Sequence, residues 1–342
     1  MMKMIVNRWG VIFLFLFMIL PGALNAGAGT IDLKMAHFMS PLHIQHQQSF
    51  MPFAQQVENL TGGKVKIKIF PGGALGGAQE LADAVKTGIT DIAFIVPSYT
   101  TGRFPRTSVF DLPFIFNSAV QATEVLYEVY DKYLSEDFKD YKVLWLYSCD
   151  TGQLHSVGNP IRGLADLQGM KMRSPSSYMS EALKLLGANP VSMPLSELSM
   201  ALDKHVIDGM LSPNTSLPDF KLAGVIKNTT LIDFYISPMA VIMNKVKYDS
   251  LPDYARNALD KAAGRERGLR AAKIYDDYAE TSMKSLNNVG KIKIHFLTTE
   301  EKRKFREKVK KMDADWVARN AAKGIPALEL LDKVQELATK TN

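Results

Sequence analysis

The sequence is poor in cysteine, with Cys149 the single one among 342 residues. One cysteine cannot form an internal disulfide, so packed cores rather than covalent cross-links must stabilise the fold. The chain also lacks the Gly-Lys-Ser/Thr end of a phosphate-binding loop, and its glycine-rich "PGGALGG" lacks the spacing of a dinucleotide loop. We therefore predict no nucleotide or other cofactor, and interpret that stretch as a tight strand-to-helix turn.

Motifs of catalysis and metal binding are missing as well. No Gly-x-Ser-x-Gly elbow occurs, and the sequence identifies no histidine and amide or carboxylate partners for Cys149. His37, His43 and His46 cluster early, but no further carboxylate or thiolate ligands lie nearby in the sequence. We predict neither an enzyme nor a metal site. An exported hydrolase, such as an esterase, stays open as the alternative.

The charged residues form no basic block and no alternation of basic and aromatic residues. The formal net charge is +6, and lysines and arginines are interleaved with acids along the chain. Nucleic acid is therefore not predicted as a partner.

A long apolar run occurs only near the N-terminus, where "VIFLFLFMIL" covers residues 11–20. Lys3 and Arg8 precede it without any acid, and small residues follow that suit cleavage after Ala26 or Ala28. We interpret residues 1–26 as a cleavable secretory signal peptide, because ten apolar residues are too few to span a bilayer; an uncleaved anchor is the alternative. No cysteine follows the run, which argues against a lipid anchor. The mature chain is predicted to be periplasmic, with a net charge of +4 (6 − 2).

The remaining chain alternates between strand and helix patterns in two sets. About 315 residues are enough for two cores, since single cores stop growing near 250 to 300 residues. Short alternating units predict an α/β fold with mostly parallel sheets flanked by helices. We predict lobe I from residues 27–149 plus 238–278 and lobe II from residues 150–237 plus 279–342. Hinge strands are expected near residues 149 and 237.

Local patterns make three further predictions. Ser40 and Pro41 are expected to begin the first helix, as cap and first helical residue. A helical pattern runs unusually far, from Pro252 to about Asn287. The strands "TLIDFY" and "MAVIMN" are predicted to pair with each other.

The stretch "DLQGMKMRSP" ends a short strand with Arg173. Met170 and Met172 fall on one face of that strand, and Lys171 and Arg173 on the other. Ligands of parallel sheets bind outside the carboxyl ends of the strands, so Arg173 is placed to face a crevice. A solvated surface arginine is the alternative.

Several segments, in this order, resemble one family of transport proteins. They are "FPGGALGGAQELADAVKTGITDIAF", "FDLPFIF", "PIRGLADLQGMKMRSPSS", "LKLLGANPVSMPLSELSMALDKHVIDGM" and "VIMNKVKYDSLPDYARNAL". The chain is similar along nearly its whole mature length to the solute-binding proteins of tripartite ATP-independent periplasmic (TRAP) transporters, most specifically over residues 166–208. The resemblance implies a two-lobed clamp with a long helix spanning both lobes. Such a clamp captures an organic acid and delivers it to a membrane permease driven by an ion gradient.

The resemblance also implies roles for individual residues. Arg173 matches the family arginine that grips the ligand carboxylate, for which a guanidinium fork is suited. Relatives that bind sialic acid have a second arginine near the position of Gln153, and an asparagine where this chain has Ser212, with Asn214 two residues on. Loss of one arginine favours a monocarboxylate over a dicarboxylate.

Aromatic residues in the expected cleft segments would suit an aromatic acid, although large rings are more often core. Asp233 either accepts a hydrogen bond from a ligand amine or caps a turn. The predicted ligand-binding residues are Arg173, Gln153, Phe38, Phe94, Tyr99, Phe114, Tyr178, Met193, Ser212, Asn214, Asp233 and Tyr235, and Phe234 lies in the same segment. The protein is expected to be a monomer that serves a permease; a sensor that presents the ligand to a receptor is a further alternative.

Overall fold

Two sheets organise the chain, and the computed structural model describes residues 29–288 and 292–341. The strands are β1 (Ile31–Ala36), β2 (Val65–Phe70), β3 (Ile92–Ile95), β4 (Tyr141–Ser148), β5 (Gly152–Ser156), β6 (Lys171–Ser174), β7 (Asn189–Ser192), β8 (Gly209–Pro213), β9 (Asn228–Leu231), β10 (Pro238–Asn244) and β11 (Lys293–Phe296). The signal-peptide prediction falls on residues 1–26, which lie outside the described residues.

The first sheet has the strand order β2-β1-β3-β10-β4. Strand β1 is parallel to β2 and to β3, whereas β10 is antiparallel to both β3 and β4. The second sheet has the order β11-β9-β5-β8-β6-β7, in which β5 alone runs against its neighbours β8 and β9. The predicted α/β architecture of two mostly parallel sheets is confirmed.

Helices cover both sheets. They are α1 (Met51–Leu60), α2 (Leu81–Lys86), α3 (Ala119–Val129), α4 (Ser177–Leu185), α5 (Leu198–Asp203), α6 (Ser216–Asp219), α7 (Lys245–Asp249), α8 (Asp253–Ala262), α9 (Arg265–Asn288), α10 (Thr299–Val309), α11 (Lys311–Ala321) and α12 (Ala327–Lys340). Within the described ranges, no helix is long and apolar enough to cross a membrane.

The predicted helix from Pro252 to Asn287 is two helices, because the chain breaks at Gly264. Gly264 has a φ of +84°, in the left-handed region that glycine tolerates, and its N–H donates to the Leu144 carbonyl at 2.8 Å. The second helix, α9, packs against α3 and β4 of the first sheet. Near its other end, Met283 and Leu286 pack against the core beneath the second sheet. The long helix that spans both lobes is therefore present, but it is shorter than predicted.

Two other local predictions are wrong. Ser40 does not cap a helix; its hydroxyl accepts the N–H of Leu42 at 3.3 Å, and helical structure begins at Ile44. The segment "TLIDFY" does not pair with "MAVIMN", because β9 lies in the second sheet and β10 in the first. Alternating hydrophobicity indicates a strand but not its partner, and the chain crosses between the sheets just after β9.

The lobe boundaries stay a prediction, and the C-terminal packing differs from it in one respect. The chain passes between the sheets after β4 and after β9, where the Cys149 N–H donates to the Ser237 carbonyl at 3.3 Å. Strand β11 joins the second sheet, as expected for residues 279–342. Helix α12, however, packs against α3 of the first lobe, and the Trp316 indole N–H of α11 donates to Ser108 Oγ at 2.9 Å.

Candidate functional site

Arg173 lies at the carboxyl end of β6, and its side chain is completely buried. The strand sits between β7 and β8, with Arg173 opposite Val191 and Met210. Lys171, two residues earlier on the same face of the strand, is exposed. The arginine is therefore buried by what covers the strand end and not by the alternation of the strand itself.

The Arg173 guanidinium is held by two backbone carbonyls and one hydroxyl. Its Nε donates to Met193 O at 2.9 Å, Nη1 to Leu211 O at 2.9 Å, and Nη2 to Tyr99 Oη at 3.4 Å. Three of the five N–H donors are thereby used, which leaves two. No carboxylate of the described chain forms an ion pair with it. A buried cation without a counterion favours the arrival of an anion.

Tyr99 reaches the arginine from the opposite sheet. It ends a short 3-10 turn, Pro97–Tyr99, that follows β3. Its hydroxyl also accepts the N–H of Leu195 at 3.4 Å, so one atom joins the two lobes. Burial raises the pKa of Tyr99, and the charge of Arg173 partly counteracts that rise. The hydroxyl therefore stays neutral and keeps its proton for a further hydrogen bond.

An aromatic cluster adjoins Tyr99 on the first lobe. The Phe38 ring lies 5.9 Å from the Tyr99 ring and 5.5 Å from the Phe94 ring, measured between centroids. Phe94 also packs against Phe50 and Tyr147 and has no exposed surface. Phe94 is thus core, whereas Phe38 and Tyr99 keep a small exposed fraction and form the apolar surface nearest the arginine.

Tyr235 is a further buried tyrosine, from the segment that crosses between the sheets. Burial raises its pKa well above the usual range, and Arg173 is the neighbouring charge that counteracts this most. No described residue hydrogen-bonds its hydroxyl. Its ring leaves no room for a side chain at position 152, because a Cβ there would lie 1.9 Å from a ring carbon. Gly152 is thereby required for the ring to stand where it does.

Gln153 and Asp233 belong to an internal network. Gln153 Nε2 donates to Asp233 Oδ1 and to Thr151 Oγ1, each at 2.9 Å, while its Oε1 accepts the N–H groups of Ile232 and Asp233. Every polar atom of Gln153 is therefore used by the fold. Asp233 has a φ of +54° and also lies 3.5 Å from Lys302 Nζ, which agrees with the turn role weighed for it.

Ser212 and Asn214, two residues apart near β8, differ in how they are satisfied. Ser212 Oγ lies 2.6 Å from Ser216 Oγ, and its carbonyl contacts His155 Nε2 at 3.0 Å. Asn214 is buried, and its Oδ1 has no hydrogen-bond partner in the described chain. Asn214 is thus the better candidate of the two for contact with a ligand.

Phe114 and Tyr178 do not lie against Arg173. The Phe114 ring is covered by Arg306 at 4.4 Å and packs on Phe234 at 4.9 Å. The Tyr178 ring lies 5.0 Å from the Arg319 guanidinium. Both rings therefore pack beside the C-terminal helices, and Tyr178 also borders a cavity of about 40 Å³ between the lobes.

Sequence reasoning missed the backbone part of the site. Met193 was predicted to bind the ligand, which stays a prediction; the structure shows that its carbonyl and that of Leu211 position the arginine. It also missed Asp111, whose buried carboxyl accepts the Ser98 hydroxyl at 2.7 Å and whose pKa burial raises to about 7. A buried acid between two apolar residues in "VFDLPF" was the available signal.

The groups considered for metal binding and catalysis are neutral. His37 Nε2 lies 2.8 Å from His46 Nδ1, and burial lowers the pKa of His37 to about 3. No group of three or more metal-ligating side chains occurs in the residues the structure describes. Burial raises the pKa of the Cys149 thiol, so it carries no thiolate near neutral pH.

Known proteins are similar to this chain in sequence and in fold. The chain matches the family model DctP, described as bacterial extracellular solute-binding protein, family 7, over residues 35–320. It is 28% identical to the 2,3-diketo-L-gulonate-binding periplasmic protein YiaO of Escherichia coli (strain K12), covering 89% of this chain and 92% of that protein.

Among solved structures, a TRAP solute-binding protein from a marine metagenome, specific for aromatic acid ligands and in complex with metahydroxyphenylacetate, is 32% identical. Its TM-score is 0.87, with 91% of this chain and 99% of that chain covered. A TRAP solute-binding protein of Rhodoferax ferrireducens T118 with copurified benzoate is 29% identical, with a TM-score of 0.87 and coverage of 91% and 98%. The chain belongs to family 7 of the bacterial extracellular solute-binding proteins, and it is a solute-binding protein of the TRAP type.

Proposed function

We propose that this protein captures an aromatic monocarboxylate in the periplasm and delivers it to its TRAP permease. The observation that carries the proposal is Arg173, a fully buried guanidinium with two N–H donors left over and no ion-paired carboxylate among the residues that the structure describes. A ligand carboxylate accepts two parallel hydrogen bonds from such a fork. Each hydrogen bond to a charged group contributes about 1.5 to 3 kcal/mol.

One negative charge matches this site better than two. Gln153 stands where a second arginine was considered, and its amide is fully engaged within the fold. The other polar groups beside Arg173, the hydroxyls of Tyr99 and Tyr235, are neutral. A second carboxylate would be desolvated without a cation, which is costly.

The rest of the ligand faces aromatic rings. Phe38 and Tyr99, whose rings are inclined at 45° to each other, supply apolar surface against which an aryl ring can pack, and Tyr99 contacts the arginine. The two solved relatives described above are complexes with metahydroxyphenylacetate and with copurified benzoate, and that chemistry supports the same ligand class here.

The remaining roles follow from transport. Residues 1–26 are a cleavable signal peptide that brings a monomeric mature protein to the periplasm. The protein returns its ligand unchanged and needs no cofactor, metal or nucleic acid. Closure of the clamp presents a surface that the permease distinguishes from the open form, since ligand shifts that balance by its differential affinity for the two states.

The test is calorimetric titration of the mature chain, residues 27–342. Benzoate, 3-hydroxybenzoate and phenylacetate form the test set, with cyclohexanecarboxylate as the non-aromatic match and succinate as the dicarboxylate. We expect the aryl acids to bind tightest. Arg173→Lys should lower the affinity for them by at least about tenfold, because the guanidinium fork is lost. Arg303→Lys, a matched substitution at an exposed arginine, should leave that affinity unchanged.

Two results would contradict the proposal. The first is tighter binding of succinate than of every aryl acid. The second is equal affinity of wild type and Arg173→Lys for benzoate. A further assay separates binding from an esterase activity. Each acid, and ethyl benzoate as an ester probe, is incubated overnight with the protein and examined by proton NMR. We expect every compound to be recovered unchanged.

A further inference from the structure

The lobes meet at a second polar contact that ligand recognition does not use. His43 Nε2 lies 3.2 Å from Asp219 Oδ2, and the two side chains are only 3% and 4% exposed. His43 immediately precedes the helical segment that leads into α1 and packs on β2 of the first sheet. Asp219 ends α6, which follows β8 of the second sheet. Separation of the lobes would hydrate both groups.

The geometry fixes the protonation of the imidazole. The Gln45 N–H donates to His43 Nδ1 at 3.1 Å, so Nδ1 is unprotonated and the ring proton resides on Nε2, facing Asp219. The rings of Phe220 and Tyr275 pack edge-on against the imidazole, at 5.7 and 6.4 Å between centroids, and exclude water.

The Asp219 carboxylate, if ionised, would have few hydrogen bonds to stabilise its negative charge. Asp219 Oδ2 has no well-aligned hydrogen bond within the described chain, although it stands close to Nε2. Burial raises the pKa of Asp219 to about 7, the Ile44 N–H opposes that rise, and the charge of Asp150 adds to it. Burial lowers the pKa of His43 to about 3, with His37 and His46 as contributing neighbours. The titratable groups facing the pair are His37, His46, Asp150, Tyr275 and Tyr278.

We propose that His43 and Asp219 form a latch between the lobes: as the clamp closes, the imidazolium gives up its Nδ1 proton to solvent and the Asp219 carboxylate takes up one proton from solvent. In the open clamp at mildly acidic pH, the hydrated pair is an imidazolium and a carboxylate, near their ordinary pKa values of about 6.5 and 3.9. In the closed clamp both are neutral. The number of bound protons does not change, so closure carries no proton penalty between about pH 4 and 6.5.

This inference rests on the proposed ligand class only for its probe. It gives opposite pH dependences for two isosteric variants. In Asp219→Asn, His43 must release a proton on closure, so the affinity for benzoate falls about tenfold as pH drops from 7.5 to 5.5. In His43→Gln, Asp219 must take up a proton on closure, so the affinity falls by roughly tenfold or more as pH rises over the same range.

The experiment is titration of benzoate into wild type, both single variants and the double variant at pH 5.5, 6.5 and 7.5. We expect less than about a threefold change in wild type and in the double variant. Two single variants with the same pH dependence as wild type would overturn the latch. A variant whose affinity falls in the direction opposite to that stated would also overturn it.

A second readout needs no ligand. Spin labels at Lys66→Cys and Lys204→Cys, two exposed positions on the two lobes, report the distance between lobes across the same pH values. The closed population should fall at acid pH in Asp219→Asn and at alkaline pH in His43→Gln. If benzoate and every other acid fail to bind wild type, the proposed function is wrong, and the label distances alone decide the latch.

Discussion

Arg173 on β6 and Gln153 on β5 are both buried polar side chains of the second sheet, separated by β8. Both polar side-chain atoms of Gln153 form hydrogen bonds within its own lobe. Arg173 also makes several hydrogen bonds, to the carbonyls of Met193 and Leu211 on its own lobe and to the Tyr99 hydroxyl of the other lobe. Two of its N–H donors nevertheless stay unused. Burial alone therefore does not mark a binding residue; unused hydrogen-bonding capacity in a buried, rigidly held group does.

Arg173→Met should show the largest effect of the variants that compare Arg173 with Gln153. The variant removes two charge-assisted hydrogen bonds to the ligand, so we expect affinity for benzoate to fall by at least about a hundredfold. In the ligand-free protein it removes a buried cation that has no counterion among the described residues, but it also leaves the Met193 and Leu211 carbonyls without their donor, so the thermal unfolding midpoint should change by only a few degrees. Calorimetry and thermal unfolding measure the two effects. A lowered midpoint together with intact affinity would assign Arg173 to the fold instead.

Gln153→Leu should show the reverse behaviour. The N–H groups of Ile232 and Asp233 would lose their acceptor inside the protein, which we expect to lower the free energy of unfolding by about 2 to 3 kcal/mol. The ratio of affinities for benzoate and 3-hydroxybenzoate should stay as in wild type. Urea denaturation checks the first expectation, with exposed Gln47→Leu as the matched control. Unchanged stability with altered ligand preference would place Gln153 in the binding site.

His155, two residues along β5, extends the comparison to pH. It contacts Thr229 Oγ1 at 2.9 Å, and burial lowers its pKa to about 4. In the unfolded chain its pKa is near 6.5, so below that pH the unfolded state binds a proton that the folded state does not, and stability is lost as pH falls. Between pH 7.0 and 5.5 this amounts to about 1 kcal/mol. From pH 7.0 to 5.5, the free energy of unfolding of His155→Gln should fall by about 1 kcal/mol less than that of wild type. An identical pH dependence in the two proteins would contradict a lowered pKa of His155.

Asp233→Asn should have the smallest effect. Asparagine tolerates the left-handed backbone that Asp233 adopts, and its amide oxygen can still accept from Thr151 and Gln153. The ion pair with Lys302 is half-exposed and contributes little. We expect both stability and benzoate affinity to stay within about 0.5 kcal/mol of wild type. A tenfold loss of affinity with unchanged stability would instead support contact between Asp233 and the ligand.

The sequence predicted the family, the α/β clamp and the position of Arg173 at a strand end, because hydrophobic periodicity and local motifs carry those features. The comparisons and the structure confirm the family and the fold. The site lining was less accessible to prediction. Carbonyls of Met193 and Leu211 bind the arginine, and a carbonyl carries no residue-specific signal.

Long-range partners could not be predicted from the sequence. Gln153, Phe114 and Tyr178 stay predictions as ligand contacts. The partners of Gln153 lie about 80 positions along the chain, at Ile232 and Asp233, and the rings of Phe114 and Tyr178 pack under arginines of the C-terminal helices. The break at Gly264 was missed because the helical pattern continues on both sides of it, and the Leu144 carbonyl that fixes the turn is remote in sequence.

Helix α9 limits how the clamp can move. It is fixed along one half against α3 and β4, and by Met283 and Leu286 against the core of the second lobe. A change in the angle between the sheets must therefore bend the helix in its second half or slide one of those contacts. Helices curve gently and kink only at particular residues, so α9 should resist sharp bending between these two contacts. We therefore expect lobe motion to be centred on the second half of α9, where the helix leaves the first sheet and reaches the core of the second lobe.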